Sequence, residues 1–528
     1  MLKQPPSIFN DVIGPVMKGP SSSHTAGPTR IGKLAGQLLQ GELKKVRVEF
    51  SATGSFAMTY RGQGTDRGLV GGLLGWDPED ERISTSLEEA AARGIEVEFN
   101  VTDFKADHPN TAKITLAGEG EEVKLTALSV GGGMIEIIEI DGFPLSISGD
   151  FYEILLFLHQ DCKEEAAALM EEYRALAGEG GFSHYFAAKG RGLVNIKMAT
   201  PLSPETLEKA AKRDGVARAL MLTPVLPVLS RKNCTVPFAT ALEMQAFAQR
   251  EGLDLWEAAL RYEMERGRWT EDKVFEKMGE IIGFMEASVK EGLENRTRQG
   301  KILKPQAGIF QEAAREGKLI GTGVMNTAMA WSMAVLEVNS YLGVVVAAPT
   351  AGSCGVLPGA VLGSAAEMQA SRQEQVKAML AAGGIGLLIA KQATFAAEVC
   401  GCQAECGAGS AMAAAGLVQL AGGTLEEGVA AASIALQNLL GMICDPVAEL
   451  VEVPCLGKNV VAVANALSSA NMALAGVDPV IPLDEVIQAM YQVGTMLPRE
   501  LRCTGLGGVA VTGTGQAIIG RASCRERV

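Results

Sequence analysis

The stretch "GMICDPVAELVEVPC", Gly441 to Cys455, sets two cysteines eleven positions apart, with Pro446 two residues after the first and Pro454 directly before the second. A second cluster, "EVCGCQAECGAGSAM", adds Cys400, Cys402 and Cys406 in a glycine-rich turn, ahead of an Ala-rich helix predicted to begin near Ser410. The chain's ten cysteines could pair as disulfides. Its opening, "MLKQPPSIFNDVIGPVMKGP", has no basic stretch followed by an apolar one to direct it to an oxidising compartment, so a cytoplasmic setting with reduced thiols is expected. Clustered reduced thiols point to metal or catalysis. Zinc favours two close CxxC-type pairs, which this chain lacks; three thiolates on separated segments suit an iron-sulfur cluster with one iron left open. Inert core thiols are the third reading, because a free cysteine packs well as a small buried residue.

A second constellation lies near the start, in "GPSSSHTAGPTRIGKLAGQLL". Ser21, Ser22, Ser23, His24 and Thr25 stand between Gly-Pro pairs, ahead of a helix predicted from about Pro28. Free N–H groups at a helix start, with hydroxyls beside them, form a cradle for a carboxylate. An ordinary capped helix would look the same. His24 adds a group that can exchange protons near neutral pH. A third stretch, "VVVAAPTAGSCGVLPGAVLGSAAEM", places Thr350, Gly352 and Ser353 where an apolar run turns toward a helix, again an anion cradle or a plain turn.

These groups need a large, soluble frame. The chain has 528 residues, which predicts about three domains, and a net charge of −14 without long Lys/Arg runs, which gives no footprint for nucleic acid. Its longest apolar runs, such as Ala378–Ala390, are too short for a membrane span. Residues 1–148 carry period-2 stretches such as "KKVRVEF" and "IEVEFNV" and predict an α+β domain. Residues 149–233 read strand, helix, strand, strand, helix, strand, the order of a ferredoxin-like unit. Residues 236–518 form long amphipathic and then Ala/Gly-rich segments, a helical domain whose small residues let helices approach around a buried site. Within it, Thr424 and Glu427 make a capping box for a helix that delivers Cys444 at or just past its end.

Together, "GPSSSHTAGP", "APTAGSCGVLPG", "GCQAECG", "CDPVAELVEVPC" and "LRCTGLGGVAVTGTG" resemble the iron-sulfur-dependent bacterial L-serine dehydratases in their single-chain form, with β and α portions fused. The resemblance spans nearly the whole chain. It implies a [4Fe-4S] cluster with ligands at Cys402, Cys444 and Cys455, an allosteric-substrate-binding-like first domain, an ACT-like second module and a homodimer. The implied reaction converts L-serine to pyruvate and ammonia, the open iron acting as Lewis acid on the hydroxyl. His24 is then the proton-transfer candidate, with Ser23 and Thr25 beside it; Ser21, Ser22, Thr350, Gly352 and Ser353 are candidate substrate-binding residues.

Some relatives end in a cysteine that occupies the open iron. Here Ile519–Val528, "IGRASCRERV", matches one reading frame of a widely used sequencing adapter and is expected to replace native residues, so Cys524 is not counted as that ligand. Cys503 is a weaker substitute, and the second glycine of "VTGTG" stands where relatives often carry proline. Alternatives are a cluster-dependent cysteine desulfidase and a non-catalytic amino-acid or redox sensor. A pyridoxal-phosphate enzyme would need a lysine paired with a phosphate-binding glycine loop, and "SVGGGM" has no such partner.

Overall fold

The computed structural model describes residues 4–178, 180–321 and 323–525, with side chains through 519. Cys524, which is not counted as a tail ligand, has its side chain outside the described residues.

Alternating sequence becomes sheet where one face can be buried. The first sheet has six strands in the order β3-β2-β4-β5-β6-β7: β2 (Lys45–Ser51), β3 (Glu96–Thr102), β4 (Thr111–Ala117), β5 (Glu122–Gly131), β6 (Met134–Ile140) and β7 (Phe143–Ile147). β2 and β3 run parallel, and the remaining neighbours are antiparallel. In β5 the residues Val123, Leu125 and Ala127 point to a core shared with Ile31 and Leu34 of helix Gly27–Gly36, while Glu122 and Lys124 face solvent. That packing fixes the helix that begins just after His24.

The second sheet carries four antiparallel strands in the order β11-β8-β10-β9: β8 (Tyr152–Leu158), β9 (Phe182–Ala188), β10 (Arg191–Met198) and β11 (Val216–Leu222). Helices Lys163–Ala177 and Pro204–Ala211 complete the βαββαβ order on one face, burying Ile154, Leu156, Val194 and Ile196. Leu155, Phe157 and Leu193 of the other face join the core of the first sheet.

The remainder is mainly helical and buries one large core, in which helices Arg372–Gln392, Cys406–Leu420 and Leu425–Asn438 pack together. Small residues set their spacing: a Cβ at Gly386 would lie 2.0 Å from Val12 Cγ1. That contact also shows that the N-terminal segment is part of this core, since Ile8, Phe9, Val12 and Ile13 are buried in it. The segment is tied down by Glu263, whose carboxylate accepts from Ser7 Oγ at 2.6 Å and from the Ile8 N–H at 2.7 Å. A short antiparallel pair, β1 (Val16–Lys18) with β12 (Val344–Val346), then carries the chain from the helical core to the Ser/His loop.

Two local expectations shift. The helix expected near Ser410 starts at Cys406, because the Gly/Ala sequence before it packs tightly enough to remain helical. The stretch from Cys400 to Cys406 is correspondingly a run of helical turns rather than an open loop. The capping box at Thr424 and Glu427 forms as expected.

Candidate active site

The Ser/His loop is a buried helical turn, Ser22–Ala26, whose N-cap Ser21 accepts from the His24 N–H through its side chain. Its position is set by the first sheet: Ser129 of β5 donates from Oγ to the Ser23 carbonyl at 2.7 Å. A Cβ at Gly27 would fall 2.3 Å from that same Oγ, so glycine is needed for the close approach. Thr25 Oγ1 donates to the Gln63 carbonyl at 2.8 Å, tying the other side of the turn to the next loop.

Opposite this turn stands Glu398, a carboxylate that inspection of the motifs missed. It lies on the short helix Ala397–Cys400, buried, and its Oε1 accepts from Ser23 Oγ at 2.6 Å and from Asn110 Nδ2 at 3.2 Å. His24 Nδ1 is 2.8 Å from Ser23 Oγ and 3.4 Å from Glu398 Oε1. Because the single Ser23 hydroxyl proton is directed at the carboxylate, Nδ1 must carry a proton to donate to Ser23, which assigns the neutral imidazole as Nδ1–H. Nε2 then presents its lone pair, 3.3 Å from Ser55 Oγ. Burial pushes His24 down to about 4, with the Glu398 charge opposing, so the ring is neutral near pH 7.

The cysteines gather beside the helix that carries Glu398, whose Ala397 packs with Cys402, Cys444 and Cys503. Gly401, at φ +70°, makes the turn from its helix into Cys402. The sulfur of Cys402, Glu405 Oε2 or Oε1, and the sulfur of Cys444 lie within 4.8 Å of one another, and Glu405 Oε2 is 3.6 Å from Cys402 Sγ. Cys444 lies beyond helix Leu425–Asn438 and is held by backbone bonds with Leu501 and Cys503. Cys455 opens helix Cys455–Leu474; it is outside that close group but near enough for its thiol to be raised by burial and then by the charge of Cys402. Hydrogen bonds from Cys406 and Cys444 hold Cys402 well below the usual thiol range. Lys458 is raised: burial opposes its charge, but Cys402 and Asp445 outweigh it, and its Nζ bonds Asp445 at 2.6 Å. Burial pushes Glu405 up, and the adjacent Cys402 charge adds to the shift.

Among the sequence candidates, Ser21, Ser23 and His24 form one hydrogen-bonded group. Ser22 Oγ accepts from the Ala351 N–H at 3.3 Å, joining this group to the third motif. There Thr350 Oγ1 donates to Glu405 at 2.6 Å, Ser353 caps its own turn, and the Gly352 carbonyl accepts from Asn459 at 2.8 Å. A Cβ at Gly352 would meet Glu405 Oε1 at 2.7 Å. The three motifs therefore surround one place, and Glu398 and Glu405 join them. A cavity of about 230 Å³ beside Thr25 is lined by Lys18, Arg61, Arg67 and Lys301, with Glu452 in its wall. Those cations are dispersed in sequence and give no motif signal.

The donor set fits an iron-sulfur group. Cys402, Cys444 and Cys455 are buried thiols from three separate segments; Cys402 is held toward the thiolate, while the hydrogen bond with Cys402 at Cys444, and burial with the Cys402 charge at Cys455, keep those two protonated until a metal displaces their protons.

The family model for the serine dehydratase beta chain matches residues 12–139, and that for the serine dehydratase alpha chain matches residues 250–510. A probable L-serine dehydratase alpha chain of Bacillus subtilis (strain 168) is 38% identical over 53% of this chain and 94% of its own length. The probable beta chain of the same organism is 52% identical over 29% of this chain and 69% of its own length. An L-serine dehydratase of Streptomyces coelicolor is 31% identical over 93% of this chain and 96% of its own length.

Proposed function

Because the chain belongs to the bacterial serine dehydratase family, with beta-type and alpha-type portions in one polypeptide, we propose that it is an L-serine ammonia-lyase that converts L-serine to pyruvate and ammonia. The observation that carries the reading is that Glu398, bonded to the turn of a neutral, oriented histidine, lies on the short helix that packs against the buried thiol cluster. The proposed resident group is a [4Fe-4S] cluster held by Cys402, Cys444 and Cys455, which when bound supplies a Lewis acid for the substrate hydroxyl.

His24 Nε2 is the proposed base for the α-proton. Ser23 and Glu398 engage the Nδ1 side, so Nε2 carries the lone pair, which accepts from Ser55 Oγ at 3.3 Å until substrate takes that place. As Nε2 takes the proton, the imidazolium is stabilised by Glu398 through Ser23 and by the short distance to the carboxylate itself. Loss of the hydroxyl as water leaves aminoacrylate, which tautomerises to the imine and hydrolyses to pyruvate and ammonia. The substrate carboxylate is drawn in by Lys18, Arg61 and Arg67 and held at the turn beside Ser21, whose Oγ caps the turn and whose own proton can be donated. Thr25, Ser22, Thr350, Gly352 and Ser353 build the wall of that place through the bonds described above.

The same reading assigns 1–148 as the beta-type domain, 149–233 as an ACT-type module and 236–518 as the alpha-type catalytic domain, in a cytoplasmic homodimer. No described helix is long and apolar enough to cross a membrane. The test is anaerobic reconstitution with iron and sulfide, followed by pyruvate release from L-serine. Turnover that requires about four irons per chain and vanishes in Cys444→Ala is expected; turnover without iron would overturn the reading.

A further inference from the structure

The face of the four-stranded sheet that turns away from its helices changes character along its length. Leu155, Phe157 and Leu193 pack into the neighbouring core, but Glu153, Asn195 and Lys197, on the same face, are charged or polar and also buried. Lys197 Nζ bonds the Glu153 carboxylate and donates to the Ser146 carbonyl at 2.8 Å; Asn195 Nδ2 donates to the other Glu153 oxygen at 2.7 Å. Desolvating such a group costs more than filling the same space with apolar side chains, so stability alone does not account for it. Nothing in the proposed active site uses it.

Asn195 and Lys197 instead line a cavity of about 530 Å³, a size suited to a small organic molecule. Phe151, Phe182 and Phe186 supply its apolar surface, with Phe182 edge-on to Phe151 at 5.5 Å and to His184 at 5.4 Å. Ser146 and Ser148 stand on one wall and Lys232 on another. Among the described lining residues there is no Asp or Glu; the charge of Lys197 is already met by Glu153, so Lys232 is the lining cation to which no described carboxylate is paired. Lys197 Nζ is 5.3 Å from the Phe151 ring centre, so aromatic surface and positive charge are adjacent.

We propose that this cavity is a binding site for a small aryl carboxylate, its ring among Phe151, Phe182 and Phe186 and its carboxylate toward Lys232. An ammonium group would be set against Lys232, with no carboxylate among the described lining residues to receive it. An adjoining cavity shares Gln4, Pro5, Ser146 and Ser148 with it and extends to Thr394 and Phe395.

The experiment is calorimetric titration of the reconstituted full chain with phenylacetate, L-phenylalanine and benzylamine as probes. Phenylacetate is expected to bind once per chain, more tightly than L-phenylalanine, with no heat from benzylamine. Lys232→Ala, an exposed position, should weaken phenylacetate about tenfold, as expected for losing one hydrogen bond to a charged group. Ser148→Trp should abolish binding by filling the cavity, and His24→Ala should leave it unchanged, which separates this site from the active site. Absence of phenylacetate binding, equal or tighter L-phenylalanine binding, or indifference to both cavity variants in chains that keep their wild-type melting temperature would overturn the proposal. These readouts do not depend on lyase turnover.

Discussion

Ser23 and Glu398 are 375 residues apart in sequence and share a 2.6 Å hydrogen bond in the buried interior. The bond joins the turn that carries His24 to the helix that leads into Cys402. It also determines which imidazole nitrogen can act as a base.

Glu398→Gln preserves size but removes the charge and offers an amide donor to Ser23. The Nδ1–H arrangement is then no longer enforced and the imidazolium loses its counter-charge. Steady-state assays of pyruvate release are expected to show kcat lowered about 10²-fold with KM little changed. Ser23→Ala should cost about tenfold, because Nδ1 remains 3.4 Å from the carboxylate. An unchanged kcat in Glu398→Gln would remove Glu398 from the mechanism.

The cysteines should separate by role. Cys402→Ala, Cys444→Ala and Cys455→Ala are each expected to lose iron and visible absorption after reconstitution, together with activity. Cys503→Ala should keep its iron, since Cys503 reaches the cluster through its hydrogen bond with Cys444. Iron and acid-labile sulfide analysis checks both outcomes, and iron loss in Cys503→Ala would make it a ligand.

His24 also links stability to pH. Its ordinary value of 6.5 falls to about 4 in the fold, chiefly through burial. Between those values the unfolded chain binds more protons than the folded one, so the contribution is full above pH 6.5 and is lost as pH falls toward 4. The loss amounts to roughly 3 kcal/mol across the window. Thermal melts of the apoprotein from pH 7 to about 4 should fall more steeply for wild type than for His24→Gln; parallel curves would argue against a buried neutral histidine.

Gly401 is the residue that allows the turn into Cys402. At φ +70° a side chain is strained, and a Cβ would also come within 2.8 Å of Leu497 Cδ1 and 2.9 Å of the Met442 carbonyl. Gly401→Ala is expected to cost about 1–3 kcal/mol in denaturant unfolding and to lower iron loading. Wild-type stability in this variant would show that the turn relaxes.

Much of this protein is written locally. Period-2 alternation marks β2 and β3, the Thr424 and Glu427 pair marks a helix start, and the cysteine and Ser/His motifs mark their neighbourhoods, because each signal depends on residues a few positions apart. The clustered cysteines stand out by type and spacing, and the family resemblance is what singles out Cys402, Cys444 and Cys455 among them. Glu398 could not, since one glutamate beside cysteines has no pattern; its meaning arises when helix Ala397–Cys400 comes against the turn Ser22–Ala26. The same holds for Ile8, Phe9 and Val12, whose burial beside helix Arg372–Gln392 no nearby residue announces. Residue type and short-range periodicity settle what each segment can become and which atoms can do chemistry. Which of those atoms meet, and which nitrogen of His24 is left to act, is decided by long-range packing that excludes water and leaves each buried polar group to find a partner.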